Sequence, residues 1–432
     1  MRDSVALSRY LQRHIEPGLP CYNFAESYWH HVLVIPAYRE SPELLQTLAQ
    51  LPLERGRALV ILVLNRPDSD PDVHANAPIR TALASDEFVW VKRGAVSVQI
   101  MNTHCDLYVH DLESLSGPTP QALGVGLARK TGFDLALQWI TSGGIDSQWI
   151  CTTDADATLP TDYFEQLQSA APDAVAAVFG FHHLLTADRD CDSATALYEL
   201  RLRHYVLGLE YAGSPYAYHA LGSCLAIRAS AYTHVRGFPK RAAAEDFYVL
   251  NKLAKLGPVA RLQGSRIELQ SRYSSRVPVG TGPAVTAIAA ADDPSEVALF
   301  YHPNCYEALK VLLASLPELG QTPQQEIALL LIDHGLQQTL AEQSMWALHS
   351  LGIAKVLTHS QRQANTNAQF ERQFHQWFDA FRSLKFIHAL RDIAWPQQTL
   401  RQLDTLQLDL WQRETHAPDN IEKLRSRALG LD

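Results

Sequence analysis

The chain has 432 residues, room for two or three domains, and its 47% apolar and 19% charged residues describe a globular protein rather than a disordered one. A formal net charge of −9 leaves no basic excess with which to cover phosphates, which excludes a general nucleic-acid binder. The longest apolar runs, 58–64 and 327–332, are too short to span a bilayer, and no basic, then apolar, leader opens the chain. A cytoplasmic protein with no transmembrane segment is expected, with contact at a membrane surface left open. The six cysteines are scattered, with no Cys-x-x-Cys pair to suggest zinc or redox chemistry.

Residues 1–30 read as a helical lead-in. His31-Val32-Leu33-Val34-Ile35 is the first strand, stopped by Pro36, and Ala37-Tyr38-Arg39-Glu40 leads into a helix over 41–50. The unbroken apolar run 58–64 suits a parallel strand covered on both faces, and Asn65-Arg66-Pro67-Asp68-Ser69-Asp70 follows as a turn-rich loop. A third strand falls at 106–110. Gly124-Val125-Gly126 then opens a helix carrying Arg129 and Lys130. Those glycines admit two readings: backbone N–H groups free to approach an anion, or close packing of the helix. Strand, loop and helix alternate, so the class is α/β with a mixed, mainly parallel sheet flanked by helices.

Trp149-Ile150-Cys151-Thr152-Thr153-Asp154-Ala155-Asp156 reads as a buried strand ending in two carboxylates one residue apart. In an extended chain such side chains share a face and repel each other unless a cation lies between them. Asp154 and Asp156 are therefore the candidate ligands of Mn²⁺ or Mg²⁺, hard ions that take oxygen donors and leave positions for substrate phosphates. A solvated turn is the plainer reading of the same motif. A helix over 161–169, a strand over 174–179 and a helix over 193–209, expected to pack on the sheet, come next. Gly222 and Ser223 leave room for a sugar or substrate near the backbone. Glu245 and Asp246 open an amphipathic helix; acids there satisfy the helix dipole, or place a general base at a pocket lip. Arg272 and Arg276 in a Ser/Gly-rich loop, followed by Pro278-Val279-Gly280, suit a clamp on phosphates. From about 296 the pattern is helical, with Phe370, Phe374, Trp377, Phe378 and Phe381 on one face as core or an oligomer contact.

Taken together, Val34-Ile35-Pro36-Ala37-Tyr38-Arg39-Glu40, Gly126 to Gly132, Asp154-Ala155-Asp156, and Gly237-Phe238 followed by Glu245-Asp246 resemble family 2 glycosyltransferases of the GT-A (Rossmann-like) fold. The resemblance spans about residues 30–285. It implies a glycosyltransferase domain over 31–290 and leaves an α-helical C-terminal domain over 296–432 outside it. It further implies a nucleotide-diphosphate-sugar donor and an inverting transfer to an acceptor hydroxyl on a glycan, a lipid-linked sugar or a small molecule. Carried over, Pro36, Ala37, Tyr38 and Glu40 line the nucleoside pocket, Arg129, with Lys130 beside it, touches the donor, and Asp154 and Asp156 hold ribose and metal. Asp246, with Glu245 beside it, deprotonates the acceptor. Asn65 stands where the family often has an acid, and no Gln-x-x-Arg-Trp motif is present, so single transfer is expected rather than polymer synthesis. Two rivals remain. One is a sugar-nucleotide-binding protein without turnover. The other is a haloacid-dehalogenase-type phosphatase using Asp154 to Thr158, with Asp292-Asp293 as its later acidic pair.

Overall fold

A computed structural model describes residues 2–51, 56–85, 87–186, 188–274, 280–363, 366–406, 408–414 and 418–429. The chain divides into two compact units, Met1–Leu185 with Ala220–Pro283, and Thr186–His219 with Ala284–Asp432.

Among the described residues the first unit carries every strand. These are β1 (His31–Ala37), β2 (Ala58–Leu64), β3 (Val89–Arg93), β4 (Val96–Asn102), β5 (Cys105–Asp111), β6 (Trp149–Thr152), β7 (Ala157–Thr158), β8 (Ala176–Val178), β9 (Phe181–Leu184), β10 (Leu225–Arg228), β11 (Val259–Arg261) and β12 (Ile267–Gln270). Nine of them form one sheet in the order β11-β8-β10-β6-β1-β2-β5-β4-β3, and β7-β12-β9 form a second, smaller one. The centre, β6-β1-β2-β5, is parallel; only β10 and β4 oppose it, so the nine-stranded sheet is mostly parallel and the unit is mixed α/β. The β3–β4 hairpin and the small sheet carry no strand signal in the reading above; their segments are short or polar.

β2 is buried along its whole length, as a strand covered on both faces must be. Helix Gly124–Thr141 covers one face. It can lie close because a Cβ at Gly132 would sit 2.3 Å from Val34 Cγ1. Helix Glu43–Ala49 buries Leu44, Leu45 and Leu48; Leu44 and Leu48 share a pocket with Leu33 and Ile35 of β1. Pro36 is tolerated inside β1 for a local reason. Pairing to β6 ends at Val34, which accepts from the Thr153 N–H, so the N–H that Pro36 lacks would face a side β6 has already left.

That departure marks the place where sites form in such sheets. From β1 the chain moves outward to β2 and β5, then returns to the other side of β1 as β6. The carboxyl ends of β1 and β6 therefore flank a topological switch point, the usual ligand crevice of open α/β sheets.

The second unit is helical. Helix Arg189–Tyr211 packs against helices Pro303–Ala314 and Pro418–Ala428. Gly208 makes this possible: a Cβ there would lie 2.2 Å from the Tyr306 ring. The aromatic stripe is divided between two helices. Asn367–Trp377 ends at Phe378, and Asp379 caps Ala380–Ile393 by accepting from the Arg382 N–H. Phe370, Phe374 and Phe378 are core, whereas Phe381 lies on the second helix and is only half-buried. The apolar period was real; the break at Asp379 is what it could not reveal.

Candidate functional site

Arg129 is the centre of the cluster at the switch point. It comes from the first turns of helix Gly124–Thr141 and is buried. Its Nε donates to Glu245 Oε1 at 2.8 Å; Nη1 donates to Thr152 Oγ1 at 2.5 Å and to the Gly222 carbonyl at 3.0 Å; Nη2 pairs with Asp154. One guanidinium thus joins the end of β6, the turn before β10 and the start of helix Glu245–Leu253. Gly222 is small because the Arg129 guanidinium lies against it, with a would-be Cβ 2.4 Å from Nη2. The room beside Gly222 is filled by the protein itself.

The two acids that open helix Glu245–Leu253 have separate surroundings. Glu245 is buried and bonded to Arg129. Asp246 is partly buried and accepts from the Phe247 N–H at 2.6 Å. Burial, then repulsion from Glu245 and Asp154, pushes its carboxyl up to about 7. Just before them, Ala244 sits in the left-handed region at φ 60°, ψ 19°, a strained setting for a residue with a Cβ.

Asp154 and Asp156 do not continue an extended strand. β6 stops at Thr152, and a turn follows in which the Ala157 N–H bonds the Asp154 carbonyl. The turn sends Asp154 to Arg129 and Asp156 to Arg272, whose Nη2 lies 2.5 Å away. Sharing one strand face is therefore not the geometry of this pair. Among the described residues no group of three or more His, Cys, Asp or Glu gathers as a metal site. Two oxygen-donor carboxylates remain, with side chains 43% and 22% exposed. Such a set fits a hard divalent ion completed by substrate oxygens and water, and fits a closed protein cage poorly.

Other predicted residues spread along the rim. Pro36 and Ala37 are buried at the end of β1. Tyr38 Oη donates to Asp70 at 2.5 Å, and Arg39, in the left-handed region at φ 56°, grips the same carboxylate through Nε (2.9 Å) and Nη2 (2.8 Å). These bonds hold Asp70 well below the usual carboxylate range, while burial raises the Tyr38 phenol. Glu40 is half-buried beyond them, and Asn65 is buried, its N–H bonded to the Ala37 carbonyl. A pocket of about 230 Å³ opens between β1, helix Glu43–Ala49 and residues 153–159, walled by Leu33, Ile35, Leu44 and Leu48 with Asp154 among its lining.

Lys130 must be removed from the donor-binding set. It is buried against the N-terminal helix, which spans only Arg2–Arg13 of the expected 1–30 lead-in, with Nζ 2.7 Å from Asp134, 2.7 Å from the His14 carbonyl and 2.9 Å from Tyr10 Oη. The anion-cradle reading of Gly124 and Gly126 also gives way to packing. A Cβ at either would strike the 239–242 backbone, and the Gly126 N–H bonds the Arg241 carbonyl. Ser275, Arg276, Pro278 and Val279 lie outside the described residues, so of the proposed phosphate clamp only Arg272 is placed. Asp293 caps a short turn through Ser295, which engages one half of the acidic pair a phosphatase reading needs. Thr152, the Gly222 carbonyl and Asp70 are the members sequence reasoning missed. Their roles come from bonds across the fold: Thr152 and the Gly222 carbonyl accept from Arg129, and Asp70 from Tyr38 and Arg39.

No protein-family model and no curated protein matches the chain. Among solved structures, a mannosyltransferase from Pyrobaculum calidifontis in complex with GDP-Man and Mn²⁺ is 15% identical, with 87% of this chain and 95% of that one covered, at a TM-score of 0.35.

Proposed function

We propose that the chain transfers a sugar from a nucleotide-diphosphate sugar to an acceptor hydroxyl, once per encounter and with inversion, as its resemblance to family 2 glycosyltransferases implies. The observation that carries this reading is the Arg129 cluster: one buried guanidinium at the switch point holding Asp154 and Glu245 in place, beside an Asp246 that changes protonation near neutral pH. An acid with that property is matched to general-base work at physiological pH. In this reading Asp246 takes the proton of the acceptor hydroxyl as its oxygen attacks the anomeric carbon. The bond from that carbon to the diphosphate breaks on the opposite face, which inverts the centre. In this reading Glu245 and Arg129 are positioning residues, because the guanidinium is bonded to Glu245, Thr152, the Gly222 carbonyl and Asp154.

Asp154 and Asp156 would hold the divalent ion, Mn²⁺ or Mg²⁺, with Arg272 released from Asp156. That release costs little, since Arg272 is 40% exposed and exposed ion pairs contribute about 0–1 kcal/mol. Once bound, the ion would neutralise charge on the leaving diphosphate. Tyr38, fixed by Asp70 and Arg39, and the pocket beside Asp154 would receive ring-shaped parts of the substrates. A cytoplasmic setting belongs to the same proposal.

The test is nucleoside diphosphate release from a panel of sugar nucleotides, with and without Mn²⁺, alongside thermal shifts with the same compounds. Release that disappears in Asp246→Asn while the thermal shift persists supports the assignment. Thermal shifts without any release select the binding-only reading, and neither response from any donor ends the proposal.

A further inference from the structure

Among the described residues β3 is the terminal strand of the nine-stranded sheet, and beside the cations Lys92 and Arg93 it exposes two large apolar side chains, Val89 at 63% and Trp90 at 52%. We propose that this edge pairs antiparallel with the same edge of a second copy of the chain, joining two sheets across a two-fold axis at Val91.

The register follows from the hairpin. β3 and β4 pair Arg93↔Val96, Val91↔Val98 and Val89↔Ile100 around a two-residue turn at Gly94-Ala95, with Gly94 at φ 59°. A two-residue turn closes on a hydrogen-bonded pair, and such pairs alternate along an antiparallel ladder. Arg93, Val91 and Val89 therefore spend their backbone groups on β4, which leaves those of Trp90 and Lys92 facing outward. A two-fold at Val91 sets Trp90 opposite Lys92 of the second copy, and Lys92 opposite its Trp90, both at positions that exchange backbone N–H···O bonds. On the other face Val89 meets Arg93. No like charges oppose each other, and each Lys92 ammonium comes over an indole face. A lysine on an edge normally discourages pairing. Here the self-complementary order Val-Trp-Val-Lys-Arg gives that lysine a partner. Arg93 keeps its bond to Asp106 (Nε, 3.0 Å), which fixes one end of the strand. Five residues make an edge roughly 17 Å long, a short interface whose association is weak and reversible.

Sedimentation velocity across low to high micromolar protein is the experiment, with hydrogen exchange at the Trp90 and Lys92 amides as the local readout. The wild-type chain is expected to pass from monomer to dimer, with both amides protected only at high concentration. Lys92→Pro removes an outward N–H that β4 does not use, so it should give a monomer with an unchanged melting temperature. If that variant fails to fold, Trp90→Lys decides: it sets lysine against lysine and should also be monomeric, while Trp90→Lys with Lys92→Glu restores the dimer. A wild type that stays monomeric, or a dimer indifferent to these changes, overturns the proposal.

Discussion

Arg129 and Lys130 are adjacent cations on one helix, both buried and both paired with acids, yet they belong to different regions. Arg129 faces the switch point, with Asp154, Glu245 and Thr152. Lys130 faces Asp134, Tyr10 and the His14 carbonyl, where it ties the N-terminal segment to the helix. Successive residues on a helix diverge by about 100°, so a dibasic pair cannot serve one site from one helical turn. A buried cation becomes functional through which acids it holds, and through whether those acids remain partly open. Asp154 does: its side chain is 43% exposed. Asp134 is wholly buried.

The sharpest way to separate the two regions is to remove each cation. Arg129→Met leaves the Glu245 carboxylate buried without its partner and releases Asp154. Breaking a buried pair from one side costs about 3–5 kcal/mol, so denaturant unfolding should register a loss of that size. Donor turnover should vanish with it, because both acids lose their positions. A variant as stable and as active as the wild type would show that the guanidinium organises nothing.

Asp246→Asn tests chemistry with the fold intact. Loss of a general base lowers the transfer rate by about 10²–10⁴-fold. Wild-type turnover should rise with pH through about 7 and then level off. The same shift has a stability consequence. Because the folded carboxyl titrates near 7 and the unfolded one near 3.8, the native state holds a proton between those values that the unfolded state has released. Native stability therefore falls as pH rises through this window. Asp246→Asn should melt higher than the wild type at pH 8 and close to it at pH 4. Melting curves at the two pH values check the sign.

Lys130→Met is the counterpart. Asp134 keeps hydrogen bonds from Tyr10 Oη (2.6 Å), Tyr232 Oη (3.0 Å) and the Glu16 N–H (2.8 Å), and burial already raises its carboxyl. It can take up a proton when the lysine leaves, which places the cost near the lower end, about 3 kcal/mol. The pH dependence of turnover should be unchanged. A shifted profile would tie the N-terminal network to the site after all.

These contrasts also explain what could be read from residues alone. β1 and β2 were legible because a run buried on both faces must be apolar throughout, and the end of β6 because two acids interrupt such a run. Asp246 and Arg129 were legible as candidates. Their surroundings were not: the family resemblance singles out Asp246, but that Glu245 is the one bonded to Arg129 appears only in the structure. Lys130 and Gly222 were misread for a shared reason. A cation near a motif and a glycine near a crevice both suggest a ligand, whereas each here meets a protein group brought in from more than ninety residues away. β3 and β4 escaped notice because an edge hairpin alternates too weakly over five to seven residues to stand out.

The smallest expected effect concerns how the acids are aimed. Ala244 holds a left-handed conformation at φ 60°, which costs about 1–2 kcal/mol for a residue with a Cβ. Ala244→Gly relieves that strain, while the greater freedom of glycine in the unfolded chain returns about 0.4–1 kcal/mol. A net gain of roughly 0.5–1 kcal/mol in denaturant unfolding should remain. Turnover should move the other way, falling severalfold, because the turn before Glu245 and Asp246 regains conformations in which the Asp246 carboxylate no longer meets the acceptor. Strain that persists beside an acid titrating near neutrality has a use only if it restricts where that acid points. A gain in stability with turnover unchanged would mean that the Arg129–Glu245 bond alone sets the direction, and that the backbone at Ala244 is tolerated rather than exploited.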